Sequence, residues 1–494
     1  MRKVIEKQLK IGQVDIGSIE LDLQSRDEIP QLLLGLQAIY TDKPVRDEVF
    51  AALESMIPDN VDKRNGRPGM ELWKILVLGT LRLNCNWDYD KLHDISNNHE
   101  KVREFLGHSK YDFDEINEKK KNKYKLQTLK DNVSLFTPEV LDRISQIVVK
   151  AGHRRFGDDE ELKGRCDSSV VKTDVHHPTD INLLWDAIRK IIQLIAKDCD
   201  GIGITEWRQY RHILRKIKKL FNKAQRLKPS KSKDERKKEE RDRKIVEAYQ
   251  AYVDLAEHYV ERAKRCTVDL TNLGFDGFAR AMLIEKFIVD AGRQIDQIRR
   301  RVVSGEKIPH GEKVFSIFER HTEWIVKGKA GVSQELGLNV CILEDQHGFI
   351  LHHHVMEKQV DEQVAVSMVA EAKEKFPTLN SCSFDKGFHS QPNQKKLPKY
   401  LDNIILPRKG RLSEEAKRIE WSAPFVAARK QHAAVESAIS ALKNHALDRC
   451  PDHGIDGFKR YVALSILARN LQVLGAKIRK KALKRLKREE RRAA

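Results

Sequence analysis

Apolar residues recur at helical spacing through most of the first 155 positions. ELWKILVLGTLRL (71–83) repeats them every three or four residues, NCN interrupts, and WDYDKLHDISNN and HEKVREFLGH resume the pattern. The stretch from about 71 to 107 therefore predicts a compact helix-turn-helix-like module. TLKDNVSLF and TPEVLDRISQIVVKAG extend it, the second with Thr137 as N-cap and Pro138 at the first helical position. Residues 1–155 thus predict an all-α N-terminal domain. Modules of this kind read DNA in some proteins and only pack as bundles in others.

The pattern changes near residue 163, where LKGRCDSSVVKTDV is rich in Val and Thr and lacks a helical period. It predicts a strand that runs on into a second strand or a turn. HHPTDINLLWDAIRKIIQLIAK turns helical after Pro178, and a helical insertion is expected over 181–304. Its charged run RLKPSKSKDERKKEERDRK (226–244) reads as a solvated helix junction or as a phosphate-tracking arm. Sheet texture returns at KVFSIF and HTEWIVKG, and LGLNVCILEDQHGFILHHHV predicts a hairpin turning around 345–348. The helix DEQVAVSMVAEAKEKF, the strands SCSF and NIILP, and the helices FVAARKQHAAVESAISALKNHAL and DGFKRYVALSILARNLQVLGAKI follow. The order predicts a mixed α/β sheet domain built from 156–180 and 305–478. The last residues, 479–494, form a basic tail without an apolar face, expected to be disordered or to touch phosphate.

Charge narrows the partner. Lys and Arg number 92 against 73 Asp and Glu, a formal +19, which favours a polyanion such as nucleic acid over an acidic small molecule. Seven cysteines without a Cys-x-x-Cys pair argue against a disulfide framework and a structural zinc site. No run approaches 18 apolar residues and the N-terminus lacks a signal-peptide core, so membrane insertion and secretion are not expected and the protein should work inside the cell.

Three acids fall where chemistry could use them. Asp167 follows LKGRC, Asp385 follows SCSF, and Glu436 lies in the helix after NIILP. Neighbouring strand ends converge at one sheet edge, and a following helix can lay a glutamate across it. Converging carboxylates repel unless a divalent cation sits between them, and Mg²⁺ or Mn²⁺ suits oxygen ligands. A pair of such ions about 4 Å apart serves displacement at phosphorus. Each acid also has a plain reading: Asp385 as a turn residue before Gly387, Asp167 as a cap of the turn DSS, Glu436 as a solvated helix charge. Spacing sets His432, Ser440 and Lys443 on the side of Glu436.

Four blocks, RCDSSVVKTDVHHPTDINLLWDAIR (165–189), EKVFSIFERHTEWIVKGKAGVSQELG (312–337), CSFDKGFHS (382–390) and RKQHAAVESAISALKNHALDRC (429–450), together with ARNL at 468–471, resemble an insertion-sequence transposase of the DDE type, the ISNCY-like group. The resemblance implies an RNase H-like catalytic sheet in which Asp167, Asp385 and Glu436 hold two Mg²⁺ ions, with Mn²⁺ able to substitute. The interval from Asp385 to Glu436 is 51 residues, as such enzymes have it. It implies cleavage at terminal inverted repeats, strand transfer into target DNA, a homodimer or larger synaptic assembly, and work in the cytoplasm of a prokaryote beside the nucleoid. Related enzymes carry Y-x2-R-x3-E-x6-K around the glutamate. Lys443 matches the lysine, whereas Arg429 and His432 stand where the tyrosine and arginine would be. These three residues, with Lys327 and Lys329 beside Trp324, are the expected DNA contacts. Asp174 is a rival to Asp167, and His352 to His354 read as edge-strand or DNA-facing residues rather than metal ligands. Two other functions stay open: a stand-alone metal-dependent nuclease of the same fold, and a transposase-derived DNA-binding repressor without catalysis.

Overall fold

The computed structural model describes residues 2–6, 8–57, 68–109, 123–157, 161–200, 205–326 and 334–493. The chain divides into two compact units, one made of 1–174 with 325–494 and the other of 175–324.

In the first unit, helices α1 (Glu28–Thr41), α2 (Lys43–Glu54), α3 (Leu72–Asn84), α4 (Tyr89–Asn98), α5 (Glu100–Phe105), α6 (Leu126–Val133) and α7 (Pro138–Phe156) precede strand β1 (Leu162–Thr173). Thr137 caps α7 as its sequence predicts, accepting from the Val140 amide. α3 buries nearly every residue, which is why its sequence is apolar all round instead of on one stripe. These helices share one continuous hydrophobic core with the sheet. The link between them is a helix from the far end of the chain, named below as α17, which packs on α1, α3 and α7 and also on the sheet.

Strands β2 (Glu323–Val326), β3 (Gln334–Glu344), β4 (Ile350–Met356), β5 (Leu379–Phe384), β6 (Asn403–Ile405) and β7 (Arg449–Cys450) complete a mixed sheet. Its order is β2-β3-β1-β5-β6, with β4 also paired to β3 and β7 to β1. β3 runs antiparallel to β1 and to β4, while β5 runs parallel to β1 and to β6. Around it lie α12 (Asp361–Lys375), α13 (Gln391–Lys396), α14 (Glu414–Glu420), α15 (Ala423–His432), α16 (Ala434–Leu442) and α17 (Gly454–Ala493).

Four local expectations need correcting. β1 is a single strand of 12 residues, because β3 pairs it across the polar middle from Arg165 to Lys172. KVFSIF forms bends, since the Ser316 hydroxyl accepts from the Phe318 and Glu319 amides and closes a turn where a strand would run. The expected single helix over 425–447 breaks at Ala433 and ends in a wide turn, Lys443–Leu447, in which Ala446 has φ 80°. The basic tail continues α17 as helix to Ala493. Its Lys, Arg, Ala and Leu residues are strong helix formers, Arg485 pairs with Glu489 one turn on at 2.8 Å, and Arg479 donates to the Leu23 and Ser25 carbonyls at 2.7 Å each.

Beside the sheet edge, Glu344 is buried near the Arg165 guanidinium at 3.2 Å. Burial pushes its carboxyl up to about 7, against the opposing pull of Arg165. The folded state therefore holds this proton more tightly than the unfolded chain. The stability it contributes is fully present below the ordinary glutamate range and is lost as pH rises through about 7. Glu344→Gln is expected to stabilise the protein at pH 8 by about 1–3 kcal/mol and to leave it nearly unchanged at pH 5, as denaturant melts at the two pH values would read.

The second unit contains α8 (Asp180–Asp200), α9 (Tyr210–Arg226), α10 (Glu235–Thr271) and α11 (Phe275–Val302). It has its own core, in which Ile188, Ile191, Ile217, Tyr252, Ala256 and Ile284 are fully buried. α9 buries Ile213, Ile217, Phe221 and Ala224 at three- and four-residue steps, and turns its Lys and Arg outward. The charged run at 226–244 ends inside α10, whose N-cap Asp234 accepts from the Arg236 amide. The run is therefore partly helix, not wholly a junction.

Candidate active site

The site grows from the pairing of two parallel strands. β1 and β5 are in register from Lys163 with Ser381 to Cys166 with Phe384. The next residue along each chain is Asp167 and Asp385, and the charge of Asp385 acts on the Asp167 carboxyl. Asp167 is thus not at a strand end, as its sequence suggested; it lies inside β1 at the point where β5 stops pairing. The stop comes from Asp385 itself, which leads into a single 3₁₀ turn, Lys386–Phe388. Phe384 and Phe388 anchor the two sides of that turn in the core with ring centroids 5.6 Å apart, leaving Asp385 exposed between them.

Gly387 has a different reason from the one its sequence suggests. It does not adopt positive φ. A Cβ there would lie 2.6 Å from Asp361 Oδ2, so the missing side chain makes room for a carboxylate. Asp361, the first residue of α12, also accepts from the Ser168 hydroxyl at 2.6 Å. Nothing in the surrounding residues marks this acid for the site. An acid in the first turn of a helix is ordinary, because it complements the helix dipole.

Electrostatics gather the acids. Burial pushes the Asp167 carboxyl up to about 6, and the charges of Asp385, Asp361 and Glu436 push the same way, against a hydrogen bond from the Ser168 amide at 2.7 Å. Glu436 is exposed in the first turn of α16. Among the described residues no three His, Cys, Asp or Glu side chains stand close enough to form a finished metal cage. Repelling, partly desolvated carboxylates nevertheless favour a divalent cation, and Mg²⁺ typically takes only one or two protein carboxylates, with water and substrate phosphate completing its shell.

His432 closes α15 and its Nδ1 lies 2.9 Å from the Ser383 hydroxyl. Burial lowers its pKa, Arg165 adds to that effect, and Asp385 and Glu436 oppose it. The ring is therefore fixed beside the acids instead of reaching outward. Arg429 is exposed one turn earlier on α15. Lys443, half-buried and engaged, follows α16 on the side of Glu436 set by their spacing. A hollow of about 500 Å³ under α15 is lined by Arg165, Ser383, Phe425 and Gln431. Lys327 and Lys329 lie outside the described residues. Asp174 pairs with Arg449 at 3.3 Å, just past the end of β1 and away from the acids. His352 bonds Lys375 and Glu371, and His354 bonds Gln359, so neighbouring side chains already occupy both.

Residues 302–471 match the family model described as the transposase DDE domain. The match covers 170 of the chain's 494 residues and makes that stretch similar to the DDE domain of insertion-sequence transposases. The matched stretch includes β3 to β6, Asp385 and Glu436; β1 with Asp167 lies before it. No curated protein and no solved structure matches the chain. DNA is the partner this family implies, and among the described residues no helix is long and apolar enough to cross a membrane.

Proposed function

We propose that this protein, a transposase of the ISNCY-like group, cleaves DNA at transposon ends and joins the freed 3′-hydroxyl to target DNA, with Asp167, Asp385 and Glu436 as the catalytic acids on an RNase H-like sheet. The observation that carries this reading is the register of β1 on β5, which is followed at the next residue of each chain by Asp167 and Asp385, while Glu436 adds to the same negative field. The three acids would hold two Mg²⁺ ions, which when bound supply Lewis-acid stabilisation of charge at phosphorus. Asp385, exposed on its anchored turn, orients toward the substrate strand. His432, held by Ser383 and kept neutral by burial, positions the neighbouring acids without adding cationic charge. Arg429 and Lys443 flank Glu436 and bind backbone phosphate, the guanidinium as a bidentate fork and the lysine as a point charge, as do Lys327 and Lys329. The first helices bind the inverted repeats, and two ends are held by a homodimer or larger synaptic assembly.

Labelled end DNA incubated with a target plasmid, in Mg²⁺ or in EDTA, tests the reading. Joined products that need Mg²⁺ are expected; cleavage without joining would mean a nuclease, and binding without either a repressor. Asp361 acts through Ser168, next to Asp167. Asp361→Asn is expected to raise the Mg²⁺ concentration for half-maximal cleavage about tenfold while the saturated rate changes less, which a metal titration of the cleavage rate would measure.

A further inference from the structure

The second unit has a half-open cavity of about 790 Å³ that the transposase reading does not use. One wall is aromatic: Phe315 and Trp324 lie 5.6 Å apart at 37°, flanked by His310 and His177. Another wall carries Gln294, fully buried on α11, whose amide nitrogen and oxygen both lack a hydrogen-bond partner among the described residues. Gln297, one turn further, already donates to the Glu312 carbonyl at 2.8 Å. A buried carboxamide left without partners is costly, and here both of its polar atoms are turned to a cavity where a matching donor and acceptor would satisfy them.

Charge at the rim completes the pattern. Of the acids that line the cavity, Asp180 pairs with Arg301 at 2.6 Å and Glu306 with Arg300 at 2.5 Å, a guanidinium that Asp296 and Glu312 share. Exposed Lys307 and Lys313 have no ion-pair partner among the described residues. A ligand that satisfies all three walls has a flat ring face, an edge with adjacent donor and acceptor, and negative charge. Fatty acids lack the edge, and neutral sugars lack the charge.

We propose that this cavity binds a nucleobase bearing phosphate, with the base edge on the Gln294 amide, its face against Trp324 and Phe315, and the phosphate at Lys307 and Lys313. Carboxamides read base edges through paired hydrogen bonds, and aromatic rings stack on any base. The cavity lies within the size range of small-molecule sites. The base could come from a free nucleotide or from a nucleic-acid strand.

Titration calorimetry of the full chain with ATP, GTP, CTP and dTTP, and separately with a single-stranded oligonucleotide, tests this. Saturable one-to-one binding of at least one free nucleotide is expected, weakened at least tenfold by Gln294→Leu and by Trp324→Ala. The ligand-free Tm of Gln294→Leu should hold or rise, because an unpartnered buried amide is removed. Lys307→Ala with Lys313→Ala should weaken the nucleotide but not its nucleoside. If only the oligonucleotide binds in a Gln294-dependent way, the base belongs to a strand. Binding of neither probe, or binding indifferent to Gln294→Leu and Trp324→Ala, overturns the proposal. The free-nucleotide arm needs no transposition, so its failure and a failure of the DNA-joining reading are separate results.

Discussion

Asp385→Asn is expected to lower Mg²⁺-dependent cleavage of end DNA by at least about a hundredfold, roughly 3 kcal/mol of barrier, with little change in DNA affinity or Tm. The substitution keeps the shape of the side chain and removes its charge. Asp385 is exposed and its fold role is confined to a backbone turn anchored by Phe384 and Phe388, so stability should not suffer. Removing one negative neighbour also relieves Asp167, whose carboxyl should fall from about 6 toward the ordinary range. Two readouts thus move together: cleavage rate in labelled-DNA assays, and the Asp167 titration followed by NMR in metal-free protein. Unchanged Mg²⁺-dependent cleavage would remove Asp385 from the catalytic set.

The largest effect on folding is expected at Gly475→Val. α1 and α17 touch backbone to backbone where Gly35 faces Gly475. A Cβ on Gly475 would lie 1.9 Å from the Gln31 carbonyl oxygen, and one on Gly35 would lie 2.2 Å from the Leu471 carbonyl oxygen. Neither neighbour is a flexible side-chain tip, so the helices themselves must separate. The pair of helices joins the N-terminal bundle to the sheet through a shared core, and its loss should cost about 3 kcal/mol or more. Chemical denaturation would measure it. Gly292→Ala supplies the contrast: this glycine sits inside α11 with nothing among the described residues within 4 Å of a Cβ, and alanine there should stabilise by about 0.5–1 kcal/mol.

Much of the architecture was legible from periodicity. The hairpin around 345–348, the helix from Asp361 and the α-rich text of the first 155 residues all follow from apolar spacing and turn chemistry, which act within a few residues. Local patterning misleads in three places, one of them decided by a distant strand. The polar middle of β1 holds as strand only because β3 pairs with it, KVFSIF gives way to a serine-closed turn, and the helix before Glu436 breaks at Ala433. In the candidate site, Asp385 and Glu436 could be singled out by their neighbours in sequence. Asp361 could not, because its place depends on Ser168, 193 positions earlier, and on the space left by Gly387.

Side-chain chemistry and short-range spacing set most of the order of elements, the basic charge and the acids able to meet a cation. Only the tertiary structure brings the charges of Asp385 and Asp361 onto Asp167 and buries Gln294 without a partner among the described residues. Strand register and burial are set by contacts between residues far apart in the chain, and periodicity along the sequence does not encode which distant surfaces meet.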